Sequence, residues 1–459
     1  MGILPTGWRA DVDGWILLIA ILAALACTLP GCFLFVRRQA MLGDAISHAV
    51  LPGIALGFLV SGTRDSQWMF LGAAVAGVAT AFFTQVLSSI GRVDRGAAMG
   101  IVFTTFFAIG LLLIVRSADQ VDLDPACVLY GQIEIAPLDT VEWAGVHVPR
   151  AVLVLGAMLC LNLLVITCIW KECVIASFDP AVAHAQGIKP GLVQQLLMVL
   201  VAATCVAAFE TVGSILVVSL LVAPAAAARL LTDRLVVLMP LAAVLAVLTA
   251  AVGQFAALTL PGKIFSTAQD ASIAGMIALI SGVLVIAAVI ASPRRGVVSR
   301  WLAVQRIRLR TVEEDLLGAL YRREAEGRGA PTLRLHLEEI GAINGSPMRG
   351  SAWMLPIAKR QLARRKLIDA GDAPALTDQG RRLARRLVRT HRLWEHYLAH
   401  NISMPPDHLH EVAMDLEHIN SPDLTRALEE QAGHMQEDPH GREIPEDGSD
   451  NTYSDRESN

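Results

Sequence analysis

Nine runs of predominantly apolar residues, most of them about 20 residues long, occupy the first 292 positions, and no other feature constrains the chain as strongly. In a bilayer the backbone must satisfy its own hydrogen bonds, so each run of that length reads as one membrane-crossing helix. The runs lie at approximately 14–36, 44–61, 66–90, 97–115, 150–170, 191–209, 212–229, 235–257 and 272–292. Two are short or interrupted, and 191–229 also reads as one span plus a broken or re-entrant pair, so the expected count is eight to nine. Hydrophobic residues make up 54% of the 459 positions and the mean hydropathy is +0.51, above the roughly 45–50% apolar content of soluble domains. The excess ends near Ser292; from Arg300 onward Arg, Glu, Asp and His crowd the chain. The expected fold class is all-α: a polytopic helical bundle followed by a soluble helical part.

The net charge of -4 conceals a split, because residues 300–400 are arginine-rich and the tail after about Asp407 is acidic. Lys and Arg collect on cytoplasmic loops. With the N-terminus outside, the inner loops hold Arg37, Arg38, Arg92, Arg95, Lys171, Lys189, Arg229, Arg234, Arg294 and Arg295, and the outer ones hold Arg9, Arg64, Arg116, Arg150 and Lys263. Ten against five favours this orientation, and nine spans then leave the C-terminal part in the cytosol. No charged segment with a short apolar core and a small-residue cleavage site opens the chain, so no removable signal is expected. The seven cysteines lie in or beside the apolar half without a Cys-x-x-Cys pair, and they read as small hydrophobes. Few aromatics and many Gly and Ala residues suit close helix approach.

Within the apolar half the most informative segment runs from Arg37 to Gly57, where Asp44 and His48 stand four apart. On a helix this spacing sets a carboxylate and an imidazole on one face, one turn apart. An ionised side chain at the bilayer centre costs at least ~2.5–3.5 kcal/mol, which ties such residues to a function or a partner. The spacing leaves two readings open. Either the pair binds an ion, or Asp44 caps the second helix near the cytosolic surface while His48 bonds a backbone carbonyl.

Four segments together, Arg37–Gly57, Asp94–Thr105, Phe178–Gly187 and Val212–Leu231, resemble in register the ATP-binding-cassette permeases for manganese, zinc and iron(II). The resemblance covers about 290 residues and implies that Asp44 and His48 are ligands of the transported metal. Mixed carboxylate and imidazole donors suit Mn(II), Fe(II) or Zn(II), and donor type alone does not choose among them. The chain has no Gly-x-x-x-x-Gly-Lys-Ser/Thr phosphate loop, so it is expected neither to bind ATP nor to be an enzyme. Hydrolysis then falls to a separate cytosolic ATPase subunit. The loop 171–190, with Phe178, Asp179, Pro180 and Gly187, resembles the family's segment that docks on that ATPase; read from its residues alone it is also a plain polar turn. Further partners implied are an extracytoplasmic metal-binding protein and a second permease subunit, either a copy or a paralogue.

From Thr311 the pattern turns soluble and helical, with Leu316, Leu317, Leu320 and Tyr321 on one face, then Leu333 to Ile340, a turn to Ser346, and a helix around Trp353–Leu367. This is the outline of a winged helix-turn-helix, with the wing at Lys366–Leu376 and a long helix after Gly380. Arg360, Arg364, Arg365, Arg381, Arg382, Arg385, Arg386, Arg389 and Arg392 form a stripe that would meet DNA phosphates, anionic membrane lipids or only water.

The segments Arg389–Leu398, His410–His418 and Asp438–Pro445 resemble the iron- and manganese-dependent repressor family over about 311–445. The resemblance implies one metal-ligand set at His391, Glu395 and His410, and another at Asp315, Met414, Glu417 and His418. The second set departs from the family, which has Cys or Glu at the Met414 position and, in manganese members, glutamate where Gly318 stands. A thioether is a poor ligand for hard Mn(II), so this set is expected to be degenerate. The expected organisation is a membrane permease domain over 1–293, a linker over 294–310, a winged-helix part over 311–385, a metal-binding and dimerisation part over 386–445, and a disordered acidic tail over 446–459. The function expected is metal import with a fused domain that senses metal. The rival readings are a membrane-tethered regulator and a permease for a chelated metal such as a siderophore or cobalamin.

Overall fold

In the computed structural model the chain divides into two units, Met1–Ser299 and Arg300–Asn459. The structure describes residues 9, 11–39, 41–61, 66–117, 131–143, 145–261, 271–293, 296–325, 327, 352–369, 371, 374–401, 413, 416, 422–432, 437, 439, 441 and 443–445.

The first unit comprises α1 (Asp13–Val36), α2 (Leu42–Ala49), α3 (Leu51–Ser61), α4 (Ser66–Ile90), α5 (Arg95–Ser117), α6 (Arg150–Cys168), α7 (Trp170–Phe178), α8 (Pro180–Ala185), α9 (Pro190–Val212), α10 (Ser214–Leu231), α11 (Leu235–Thr259) and α12 (Ile273–Ala291). A hairpin of β1 (Thr140–Trp143) and β2 (Val146–Pro149) precedes α6, with Thr140 opposite Pro149 and Trp143 opposite Val146. Among the described residues, nine helical segments are long and apolar enough to cross a membrane, with Gly43–Ser61 counted as one. The interruption falls in that segment. Pro52 has no N–H to return to the carbonyl of His48, and its ring crowds that carbonyl, so the helix breaks at Val50. Residues 191–229 are instead two separate helices joined through Gly213 alone, whose φ of 78° and ψ of 160° suit a residue without a Cβ.

Helix α1 lies at the centre, packed against α6, α9, α10 and α11. Its interior Pro30 and the interior Pro224 of α10 each deprive the carbonyl four residues earlier of its helical donor. Both carbonyls find a side chain on another helix. Asn162 Nδ2 of α6 donates to the Ala26 carbonyl at 2.8 Å, and Thr28 Oγ1 of α1 donates to the Leu220 carbonyl at 2.8 Å. Asn162 also meets Thr204 Oγ1 of α9 at 3.0 Å, so one buried amide ties three helices together, as polar residues do between membrane helices. Gly53 of α3 and Gly72 of α4 touch backbone to backbone; a Cβ on either would collide with the other's carbonyl oxygen.

The second unit contains α13 (Val297–Ala325, beginning three residues before it), α14 (Leu355–Arg364), α15 (Asp378–Asn401) and α16 (Pro422–Ala432). Residues 297–310, expected as linker, are helical and continuous with the expected first helix of the winged part. The expected helix over 333–340 lies outside the described residues. At the expected wing, Ile368 bridges Leu376 in antiparallel fashion, and Thr377 Oγ1 then accepts the Gly380 N–H at 3.1 Å, an N-terminal cap for α15. One apolar cluster joins Val312, Leu316, Leu317, Leu355, Leu362, Ile368 and Ala384, and a second joins Leu393, Trp394, Leu398, Ala413 and Leu428. Helix α15 supplies residues to both.

Candidate metal centres

Helix α2 carries Asp44 and His48 on one face, and the imidazole Nε2 stands 3.7 Å from the carboxylate Oδ1. The helix N-cap is Met41, whose own side chain makes no capping bond, and Asp44 lies in the first turn. Depth is fixed by neighbours. Ile46, between the pair, faces the same point as Gly77, Ala202 and Val206, which lie midway along α4 and α9. His48 itself sits against two rings of α5, Phe107 edge-on at 5.7 Å and Phe103 tilted at 6.1 Å. The His48 and Asp44 side chains nevertheless remain 38% and 49% exposed. The pair thus sets a carboxylate and an imidazole, both partly exposed, on one face of α2.

In the second unit α15 presents the same spacing in reverse order. His391 Nε2 lies 3.1 Å from Glu395 Oε1, with the side chains 5% and 2% exposed. The 3.1 Å contact is a direct hydrogen bond between the two side chains, which stand side by side on one face of the helix. His410 falls outside the described residues, as do Met414, Glu417 and His418. Asp315 is buried on α13, and Gly318 one turn later has room for a larger side chain, with only the Arg322 guanidinium within 4 Å of an added Cβ. Among the described residues no three His, Cys, Asp or Glu side chains converge as a metal cage.

The segment expected to meet the ATPase has a defined local fold. Asp179 Oδ1 accepts the N–H groups of Ala181 and Val182, both at 3.0 Å, and caps the short helix α8, which Pro180 begins. At the other end Gly187, at a φ of +80°, donates to the His184 carbonyl, and Ile188 donates to the Ala183 carbonyl; this pairing closes the helix with a left-handed residue. Phe178 and Val182 are left exposed. Asp179 and Gly187 therefore shape the segment, while Phe178 offers an apolar contact.

Part of the arginine stripe is spent inside the second unit. Arg365 pairs with Glu313 at 3.2 Å, Arg381 with Glu324 at 2.7 Å, Arg389 with Glu429 at 3.0 Å, and Arg392 donates to the Glu443 carbonyl. Glu313 is buried, and burial holds its carboxyl above the usual range although Arg365 pulls the other way. Arg382, Arg385 and Arg386 remain exposed. The residues that sequence reading missed are Phe103 and Phe107 beside His48 and Asn162 at the centre of the bundle. A polar residue inside an apolar run, together with a proline four residues after a carbonyl, was the signal for the last.

The C-terminal part matches the iron dependent repressor, metal binding and dimerisation domain over residues 377–446. Over the first part the chain is 42% identical across 291 residues to the manganese transport system membrane protein MntD of Bacillus subtilis, covering 63% of this chain and 95% of that protein. It is 37% identical across 294 residues to the zinc transport system membrane protein TroD of Treponema pallidum, covering 64% and 78%. The solved structure of PsaBC from Streptococcus pneumoniae in complex with Fab superposes with a TM-score of 0.51 at 27% identity, covering 64% of this chain and 94% of that one. Residues 13–292 match the model of the ABC 3 transport family, and with nine apolar helical segments behind that match the chain is a multi-pass membrane protein belonging to this family.

Proposed function

We propose that the chain is the membrane subunit of an importer for a divalent transition metal, manganese first, with zinc and iron(II) as the other candidates, and that Asp44 and His48 line the ion's path. The observation that carries this reading is the pair itself: two ionisable side chains midway along the bundle, half-exposed, 3.7 Å apart. Ionisable side chains at that depth face a bundle interior or a water-filled cavity. Here the open side of the pair calls for a further wall, which a second permease subunit, identical or paralogous, supplies. Relatives named for manganese and zinc transport support the cargo class, and an imidazole with a carboxylate accommodates each of these ions. A chelated metal would present its organic shell to the path and leave the pair without a role.

The energy comes from a separate cytosolic ATPase docking on Phe178 and the capped helix that follows it, and the cargo from an extracytoplasmic metal-binding protein. Positive charge on the loops supports an outside N-terminus and a cytosolic second unit. In that unit His391 and Glu395, with His410, form a regulatory metal site. The set of Asp315, Met414, Glu417 and His418 is degenerate. The exposed Arg382, Arg385 and Arg386 fit anionic lipid better than DNA, because the other arginines of α15 are held by internal acceptors.

The test is metal accumulation in cells that depend on this transporter. Asp44→Ala and His48→Ala, present in the membrane at normal levels, should each abolish accumulation. Normal accumulation by both would remove the pair from the path.

A further inference from the structure

Helix α15 carries a second pair of metal-competent side chains that neither ligand set includes. His396 and His400 are one turn apart, with ring centroids 4.0 Å apart and planes inclined by 33°. At about 100° per residue they lie about 140° around the helix from His391 and Glu395, so the two pairs cannot share an ion. His396 is buried, whereas His400 is exposed.

Two imidazoles on one ion place each nitrogen about 2.0–2.1 Å from the metal, which spaces the ring centroids about 4.5–5 Å. The observed spacing reaches that range by a side-chain opening of under about 1 Å. Tautomer matters as much as distance. His400 Nδ1 lies 3.1 Å from the His396 carbonyl oxygen, and only an N–H can make that bond. In the neutral tautomer that donates Nδ1–H to this carbonyl, Nε2 carries the lone pair, the arrangement found in metal-bound histidines whose other nitrogen is held by a carbonyl.

We propose that His396 and His400 form a two-imidazole clip for a late first-row divalent ion of the zinc class, separate from the His391 and Glu395 site and disfavouring manganese. Nitrogen-only donors suit zinc, nickel and copper, while manganese favours oxygen. Water completes the coordination. The clip gives the second unit a sensitivity to an ion other than manganese, and its existence does not depend on the transport reading.

The full chain in lipid nanodiscs, stripped with chelator and titrated with zinc chloride, provides the test. Diethylpyrocarbonate modifies accessible imidazole nitrogen, and fragment mass spectrometry reads the modification at each histidine. Zinc should protect His400, and manganese at equal concentration should not. His396→Asn should weaken the zinc protection of His400 at least about tenfold, while the His391→Ala, Glu395→Ala double variant should retain it. Because His396 is buried, the exposed His400→Asn gives an independent arm: equilibrium dialysis should show less zinc retained per chain. Unprotected His400, protection that survives His396→Asn or vanishes with the double variant, or unchanged zinc retention in His400→Asn would each overturn the clip.

Discussion

Two carboxylate–imidazole pairs with the same spacing occupy the two units, and their surroundings differ in every respect that matters for an ion. Asp44 and His48 are 3.7 Å apart and half-exposed; His391 and Glu395 are 3.1 Å apart and sealed. An open pair desolvates an ion incompletely and lets it go, which suits passage. A sealed, hydrogen-bonded pair contributes to folding, and would release a bound ion less readily. Helical spacing alone therefore separates neither role. Burial does.

The comparison predicts opposite consequences for stability and for transport. His391→Ala removes a buried hydrogen-bond partner of Glu395, a loss of about 1–3 kcal/mol; amide hydrogen exchange across α15 in the full chain would read it. Asp44→Asn should cost less than about 1 kcal/mol, as for exposed pairs, although it should abolish transport. A large stability loss at Asp44, or none at His391, would break the distinction.

Smaller effects sharpen it. Phe107→Ala removes the edge contact that holds the His48 ring, and should reduce uptake several-fold without eliminating it, whereas Phe107→Leu should recover most of the rate. Asp179→Ala removes a helix cap worth about 1 kcal/mol. Asp179→Asn, which can still accept both N–H groups, should preserve ATPase co-purification better than the alanine, because the segment's shape rather than its charge is at stake. The smallest effect concerns pH. A carboxyl held above its usual range makes the folded chain the better proton binder, so the stability Glu313 contributes is full below its unfolded pKa and is lost as pH rises through the folded value. Glu313→Gln should flatten that slope in thermal unfolding of the full chain followed across mildly acidic pH.

Much of this was legible from residues, for physical reasons. Apolar run length located the nine segments to within a few residues, because a bilayer imposes it. The four-residue spacing of Asp44 and His48 located the first pair. Sequence could not place the helix break: Pro52 announces one, yet whether a proline kinks or breaks a helix depends on what its neighbours satisfy, and Pro30 and Pro224 stay inside continuous helices because Asn162 and Thr28 take up the carbonyls they free. The 191–229 ambiguity had the same origin, since a single glycine at positive φ is enough to separate two full helices. Nor does residue identity reveal that His391 and Glu395 are sealed while Asp44 and His48 are open, because burial depends on which distant segments pack over each pair.

Uptake of radiolabelled manganese, measured across external concentrations in cells carrying Asp44→Asn or the His391→Ala, Glu395→Ala double variant at matched membrane levels, tests the central claim most directly. The account predicts no uptake at any concentration for Asp44→Asn, and for the double variant a normal rate when metal is scarce with excess accumulation when it is abundant. Concentration-dependent uptake at the normal rate in Asp44→Asn would contradict the assignment of the open pair to passage.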